Sequence, residues 1–144
     1  MNLIVRKMTI DDYDEAYAVW LQAEGLRHEE DDSREPIGIY LRRNPGCCFV
    51  ACADDRIIAT VLCGHDGRRG TLRHLVVKRQ YRGKGIARTL IKEVLSVLEK
   101  EGIKKCNTFV LDGNIEGRRF WEHMGWHLLE DDYRTLQIRI FPDK

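Results

Sequence analysis

The ten residues Arg79–Arg88, written RQYRGKGIAR, combine four basic side chains with two glycines and contain no acid. They lie between an apolar run, Leu75–Val77, and a long segment in which apolar residues recur with helical spacing. A helix N-terminus offers free backbone N–H groups and a partial positive charge, and glycine lets the backbone approach an anion closely. The stretch therefore predicts a phosphate-binding bend, with a plain turn between a strand and a helix as the alternative.

Two other phosphate-binding motifs fit this stretch less well. A Walker loop has the pattern GxxxxGK[ST], but Gly85 follows Lys84 here and no earlier glycine stands at the required distance. A dinucleotide fingerprint, GxGxxG, matches Gly83 and Gly85, but its third position is Arg88. A nucleotide-binding domain is therefore disfavoured.

The elements around the bend predict a mixed α/β fold. Strands are expected at Leu3–Arg6, Cys48–Cys52, Ile57–Cys63, Thr71–Val77, Thr108–Leu111, Trp126–Leu129 and Arg134–Ile140. Helices are expected after Thr9, over Pro36–Arg43, from Ile86 to Gly102 and from Asn114 to Gly125. The order β-α-α-β-β-β-α-β-α-β-β contains hairpins and one parallel crossover, and so predicts a mixed sheet with helices on both faces.

Composition limits the classes of protein to which the chain can belong. Its 144 residues, 43% hydrophobic and 33% charged, suit one domain with a core, residues 1–144. Lys plus Arg number 24 and Asp plus Glu 23, and a net charge of +1 argues against nucleic acid as a partner. No signal peptide or membrane span is predicted. Five cysteines without CxxC spacing predict no metal site or disulfide framework, and favour a cytoplasmic protein.

Two motifs together resemble those of one enzyme family. Arg82–Ala87 resembles motif A of the GNAT superfamily of acetyl-CoA-dependent N-acetyltransferases, Gln/Arg-x-x-Gly-x-Gly/Ala; an overlapping register, Gln80–Gly85, also fits. Asn114–Trp126 resembles the family's block N-x-x-A-x-x-(F/L)-Y-x-x-x-G-F. The element order agrees along the whole chain, so the resemblance implies the GNAT fold with a splayed central sheet.

The resemblance also implies an acetyl-CoA site. In the family, the bend binds the CoA diphosphate through backbone N–H groups, the preceding strand pairs with the pantetheine arm, and an asparagine contacts that arm. The corresponding cofactor-binding residues here are Leu75, Val76, Val77, Arg82, Gly83, Lys84, Gly85, Ile86, Ala87, Arg88, Asn114 and Trp121.

The implied reaction moves an acetyl group from acetyl-CoA directly to a primary amine, but the family's catalytic side chains are incomplete here. Trp121 stands where the family has a tyrosine acid, and an indole cannot act as a general acid near neutral pH. Tyr81 is a weak candidate for the missing acid, and the alternative is that it only packs beside the phosphate bend. A non-catalytic acyl-CoA-binding or sensor module is therefore the alternative function.

The sequence also leaves the identity of the general base open. Strand alternation places four residues on the expected site face, Thr71, Arg73, Leu75 and Val77. His74 falls on the other face, yet it titrates near neutrality and is a candidate base, as are His65 and Asp66. Arg73 is expected either to bind a substrate carboxylate or phosphate or to be a solvated strand residue.

The acceptor is expected to be a small amine, an amino acid or a protein N-terminus. The family forms the acceptor pocket from the first two helices and their connection, which is acidic in this sequence: Glu24, Glu29, Glu30, Asp31 and Asp32. This connection either attracts a cationic amine or is a solvated loop, and Glu24 is a candidate proton relay through water. The sequence leaves a monomer and a homodimer open, since strands after Trp126 can pair between subunits.

Overall fold

The computed structural model describes residues 2–130 and 133–141. Within these residues, five strands and four α-helices are present. The strands are β1 (Leu3–Lys7), β2 (Phe49–Ala53), β3 (Arg56–His65), β4 (Gly70–Val77) and β5 (Cys106–Asn107). The helices are α1 (Tyr13–Leu21), α2 (Arg34–Arg43), α3 (Ile86–Lys100) and α4 (Ile115–His123). Single 3-10 turns lie at Ile10–Asp12, Glu30–Asp32 and Arg79–Tyr81.

The strands form one mixed sheet in the order β1-β2-β3-β4-β5. Strands β1 to β4 pair antiparallel with their sequence neighbours, and β5 pairs parallel with β4 after the crossover through α3. The predicted mixed α/β fold class is therefore confirmed. No helix in the described ranges combines the length and apolarity needed to cross a bilayer.

Two apolar clusters cover the two faces of the sheet. On one face, α3 buries residues at helical spacing, Ile86, Leu90, Ile91, Val94 and Leu98. On the other face, α1 and α2 bury Ala16, Val19, Trp20 and Ile37. Burial of apolar surface is the main favourable term in folding, so these two clusters fix the helices against the sheet.

A β-bulge interrupts β4 at His74. Thr60 of β3 pairs with Val76, but Leu62 pairs with Arg73, so β4 contains one extra residue. His74 has φ of +51°, in the left-handed region that non-glycine residues rarely adopt. The Thr60 hydroxyl donates to the His74 carbonyl oxygen at 2.8 Å and accepts from the indole Nε1 of Trp20 at 2.8 Å. These buried hydrogen bonds stabilise the bulge.

The bulge changes which face each β4 side chain occupies. Leu75 and Val77 pack with the α3 cluster, whereas the His74 ring packs edge-on against Trp20 in the α1–α2 cluster. Arg73 follows Leu72 of the α3 cluster and so alternates to the α1–α2 face as well. The predicted alternation, with Arg73, Leu75 and Val77 together and His74 opposite, is wrong because a bulge shifts the period by one residue.

The sheet opens between β4 and the chain that follows α3. β5 pairs only Cys106 and Asn107 with the first two residues of β4. Beyond it, the Thr108 side chain donates to the carbonyl oxygen of Leu72 at 2.9 Å, and no ladder continues. The predicted strand Thr108–Leu111 is therefore absent, because the backbones diverge where it would begin. The divergence is the expected splay.

The two predicted closing strands are also absent. Trp126–Leu129 and Arg134–Ile140 have no strand pairing, although Leu136 is 94% exposed and Ile138 85%, while Thr135 and Gln137 line the cleft described below. Alternation of side chains thus persists along an extended segment. A strand also needs a neighbouring backbone, and in the described residues the sheet ends at β5.

Candidate active site

The divergence beside β4 forms one wall of a large open cleft of about 1670 Å³. It is lined by β4, the bend before α3, the start of α4, the connection between α1 and α2, and the last described segment. Eleven of the twelve residues predicted to bind the cofactor line it, the exception being Lys84. The structure therefore brings together residues that are far apart in sequence.

The glycine bend ends at the N-terminus of α3. Gly83 and Gly85 have φ of +77° and +81°, and Gly85 is the residue that precedes the first turn of the helix. No acidic residue lies in that turn, and a β-carbon at either glycine would meet no other atom within 4 Å. The backbone N–H groups of the first turn have no intrahelical partner, and the residues that carry them line the cleft, so a ligand can use them as hydrogen-bond donors.

Asn114 begins α4 beside the same cleft. Its Oδ1 accepts a hydrogen bond from the Gly117 backbone N–H at 3.0 Å, which is an N-cap. A β-carbon at Gly117 would lie only 2.4 Å from Nδ2, and one at Gly25 only 2.8 Å from it. The absence of side chains at these two glycines is what leaves room for the asparagine amide.

Trp121 packs within α4 and its following turn rather than providing an acid. Its ring centroid lies 4.6 Å from that of Trp126 and 5.3 Å from that of Phe120. Trp121 also lines the cleft, so its indole forms part of the wall next to the other residues predicted to bind the cofactor. Tyr81 lines the cleft and packs against the α3 cluster.

His74 is a buried titratable group of the cleft. Its side chain is 8% exposed, and its ring centroid lies 4.7 Å from that of Trp20. Nε2 approaches Oδ1 of Asp32 to 3.1 Å without hydrogen-bond alignment, and Nδ1 has no partner in the described residues. Burial lowers the pKa of His74 below its ordinary 6.5, and the negative charge of Asp32 opposes that shift. His74 is therefore a neutral imidazole at pH 7, able to accept a proton.

Asp32 is fixed by contacts other than His74. Its Oδ2 accepts from the Glu29 backbone N–H at 3.0 Å, and its carbonyl oxygen accepts from the Tyr13 hydroxyl at 2.8 Å. The carboxylate is 13% exposed. Sequence reasoning placed Asp32 in an acidic connection but missed its contact with His74. The three-residue spacing from Glu29 to Asp32, typical of a capping box, was the available signal for local order.

Arg73 lies in the same wall of the cleft. Its guanidinium carbon lies 4.9 Å from the centroid of the Phe109 ring, a cation–π contact. The side chain is exposed, and no carboxylate in the described ranges pairs with it. Tyr40 lies in this wall too, with a buried hydroxyl that has no hydrogen-bond partner. Burial raises the pKa of that hydroxyl, with the positive charge of Arg73 opposing the shift, so Tyr40 remains a neutral donor.

The structure does not place His65 and Asp66 in the cleft. His65 is the last residue of β3 and pairs with Gly70, at the end of β4 remote from the glycine bend. Its Nε2 lies 2.8 Å from a carboxylate oxygen of Glu101, and its Nδ1 accepts from the Gly67 backbone N–H. Backbone N–H groups of the turn donate to Asp66 and lower the pKa of its carboxyl. Both residues stabilise the turn between β3 and β4.

Two of the five acids in the connection between α1 and α2 pair with arginines. Glu24 pairs with Arg79, Glu30 pairs with Arg139, and Asp32 contacts His74. No side chain in the described ranges pairs with Glu29 or Asp31. No cluster of three or more potential metal ligands occurs in the described part of the chain.

Known proteins are similar to this chain in sequence and in fold. The family model described as "Acetyltransferase (GNAT) family" matches residues 7–126. An acetyltransferase of Sodalis glossinidius is 28% identical over 140 residues, 97% of each chain, and one of Yersinia pestis is 32% identical over 110 residues, 76% of this chain and 77% of its own.

Solved structures agree in fold. The PaiA N-acetyltransferase of Thermoplasma acidophilum in complex with coenzyme A superposes with a TM-score of 0.80 at 23% identity, over 92% of this chain and 94% of its own. The ribosomal-protein-alanine N-acetyltransferase of Brucella melitensis superposes with a TM-score of 0.67 at 21% identity, over 97% of this chain and 100% of its own. The family match covers most of the chain and includes the glycine bend and α4. The chain therefore belongs to the GNAT family of N-acetyltransferases.

Proposed function

We propose that this enzyme transfers an acetyl group from acetyl-CoA to a primary amine by direct attack in a ternary complex. One observation carries the proposal: the free N–H groups at the start of α3 and the unpaired edge of β4 open into one cleft. The diphosphate of acetyl-CoA binds at Gly83–Arg88. The pantetheine amides then pair with the backbone of Leu75–Val77, because that edge has no strand neighbour in the described residues.

His74 is the general base of the proposed reaction. An alkylammonium has a pKa near 10, so only about one molecule in a thousand is a free amine at pH 7. Neutral His74 accepts a proton from the ammonium group, directly or through water. Asp32 is a positioning residue, since it contacts the imidazole and its charge favours the protonated form.

The remaining steps need little from side chains. The amine nitrogen attacks the thioester carbonyl carbon, the C–N bond forms, and a backbone N–H near Val76 or Val77 donates to the oxyanion. The C–S bond then breaks, and the thiolate of CoA takes up one proton while the second proton of the amine is released. The net change is R–NH₃⁺ plus acetyl-CoA to R–NH–CO–CH₃, CoA–SH and H⁺. A thiol pKa of about 8.5 makes the thiolate a good leaving group, so Trp121 in place of a tyrosine is compatible with turnover.

Two measurements test this function. Acetyl-CoA is expected to raise the melting temperature, because a ligand that binds only the folded state stabilises it. Free thiol should then appear over time when a panel of primary amines is added. Stabilisation by acetyl-CoA without thiol release from any amine would instead support a non-catalytic acyl-CoA-binding module. A larger shift with ATP or NAD would overturn the proposed site.

A further inference from the structure

The charged side chains of the α1–α2 connection and of β4 differ in whether an opposite charge pairs with them. Two acids of the connection between α1 and α2, Glu24 and Glu30, pair with arginines, and Asp32 contacts the neutral imidazole of His74. Arg73 contacts only an aromatic ring and pairs with no carboxylate in the described ranges. A guanidinium is protonated at every physiological pH, and contact through its face leaves its N–H donors available. Arg73 is therefore a cation of the cleft that is available to pair with an anionic group of a ligand.

The β-bulge places this cation beside the proposed base. Arg73 and His74 are consecutive, with Cα atoms about 3.8 Å apart, and the bulge directs both side chains to the α1–α2 face. In an unbroken strand they would lie on opposite faces. The positive charge of Arg73 also contributes to lowering the pKa of His74, so the two groups lie close enough to contact one acceptor.

Two further features of the same wall fit a polar ligand. The Tyr40 hydroxyl is buried in it without a hydrogen-bond partner. His74 is more than nine-tenths buried, lines the cleft and has an unpartnered Nδ1. Buried polar atoms without partners are uncommon in native structures, and a polar ligand would complete their hydrogen bonding.

We infer that the amine acceptor carries a carboxylate or phosphate within a few bonds of its amino group, and that Arg73 binds this anion while the amine faces His74. The inference rests on the proposed acetyl transfer and narrows its acceptor. Free amino acids and amino phosphates fit the site. Polyamines have no anion, and the N-terminus of a protein has an amide in place of the α-carboxylate.

Matched acceptor pairs test the inference. Glycine is compared with glycinamide, and phosphoethanolamine with ethanolamine, and spermidine is included as a cation without an anion; release of CoA thiol gives kcat/KM. In one of the two pairs, kcat/KM for the acceptor with the carboxylate or phosphate is expected to exceed kcat/KM for its partner by about 10- to 100-fold, the range of a hydrogen bond to a charged group. The two pairs show which anion the site takes.

Variants of Arg73 test whether this residue causes the preference for an anionic acceptor. Arg73→Gln is expected to remove the difference between the members of the preferred pair, mainly through a higher KM for the anionic acceptor. Arg73→Lys keeps the charge and should retain part of it. Arg68→Gln is the control, since Arg68 is an exposed arginine of the β3–β4 turn outside the cleft.

The possible failures are distinct. Efficient acetylation of spermidine or of the uncharged partners, equal to or above the anionic amines, would overturn the anionic acceptor and leave acetyl transfer intact. An anion preference that survives in Arg73→Gln would overturn the role of Arg73. Absence of thiol release with every amine would overturn both the acceptor and the proposed function.

Discussion

The hydroxyl of Thr60 donates to the carbonyl oxygen of His74 at 2.8 Å, across the only irregular step between β3 and β4 in the described residues. The same hydroxyl accepts from Trp20, whose side chain is fully buried. One threonine thus joins a core tryptophan to the backbone of the bulge that directs His74 and Arg73 into the cleft.

Thr60→Val is expected to destabilise the fold. The substitution keeps the side-chain shape but leaves the Trp20 N–H and the His74 carbonyl without this partner, at a cost of about 1–3 kcal/mol. Denaturant unfolding measures the loss. Thr71→Val, on the neighbouring strand and without a side-chain hydrogen bond in the structure, is the control and should change stability by less than about 0.5 kcal/mol. Equal losses in the two variants would contradict this role of Thr60.

The glycine at the start of α3 gives the most direct test of the diphosphate site. Gly85→Ala imposes a left-handed conformation on alanine, at about 1–2 kcal/mol, and directs a methyl group toward the bound phosphates. We expect the affinity for CoA, measured by calorimetry, to fall about tenfold or more. Gly102→Ala is a matched control, because Gly102 has φ of +78° and equally open surroundings beyond the far end of α3. An equal loss of CoA affinity in both variants would contradict phosphate binding at Gly85.

The helix α3 and its glycine bend were predictable because their signals are local. Apolar residues at Leu90, Ile91 and Val94 recur with helical period, and Gly83 and Gly85 stand where the backbone requires positive φ. Such patterns depend on neighbouring residues alone, so one sequence suffices.

The base and its partner were harder to predict because they depend on tertiary geometry. His74 reaches Asp32 only because β4 has a bulge, and no residue type near position 74 marks a bulge in a single sequence. The prediction of two closing strands was wrong for a related reason. Alternation at Leu136 and Ile138 predicts an extended chain, but pairing depends on whether another backbone lies alongside.

Trp121→Phe tests whether the enzyme needs an acid at this position. The change removes the indole N–H and part of its packing against Trp126, so stability should fall by about 1 kcal/mol. If thiolate is a sufficient leaving group, kcat should remain within about threefold of the wild type, and Trp121→Tyr should not raise it more. A loss of two orders of magnitude in kcat for Trp121→Phe, at unchanged KM for acetyl-CoA, would show that the indole takes part in the chemistry.

The lowered pKa of His74 predicts how stability depends on pH. The unfolded chain has an ordinary histidine pKa near 6.5, and the folded pKa lies below it, so between the two values the unfolded state binds more protons. This contribution to stability is complete above pH 6.5 and is lost as the pH falls through the folded pKa, by at most about 1.4 kcal/mol per pH unit. His74→Gln should therefore weaken the loss of stability between pH 7.5 and 5, measured by denaturant unfolding. His127→Gln, an exposed histidine outside the cleft, is the control and should leave the pH profile unchanged.

Asp32→Asn separates a positioning role from a structural one by the direction of a pH shift. The charge of Asp32 raises the pKa of His74 against the larger effect of burial, so its removal should lower that pKa further. The acidic limb of kcat/KM for one fixed acceptor should then move to lower pH, and the plateau should fall because a weaker base removes the ammonium proton less effectively. Asp31→Asn removes an exposed carboxylate from the same turn and should leave both features unchanged, since Asp31 does not contact His74. If Asp32→Asn lowers the plateau of kcat/KM but leaves its acidic limb at the same pH, Asp32 stabilises the connection only and has no role in the proton transfer.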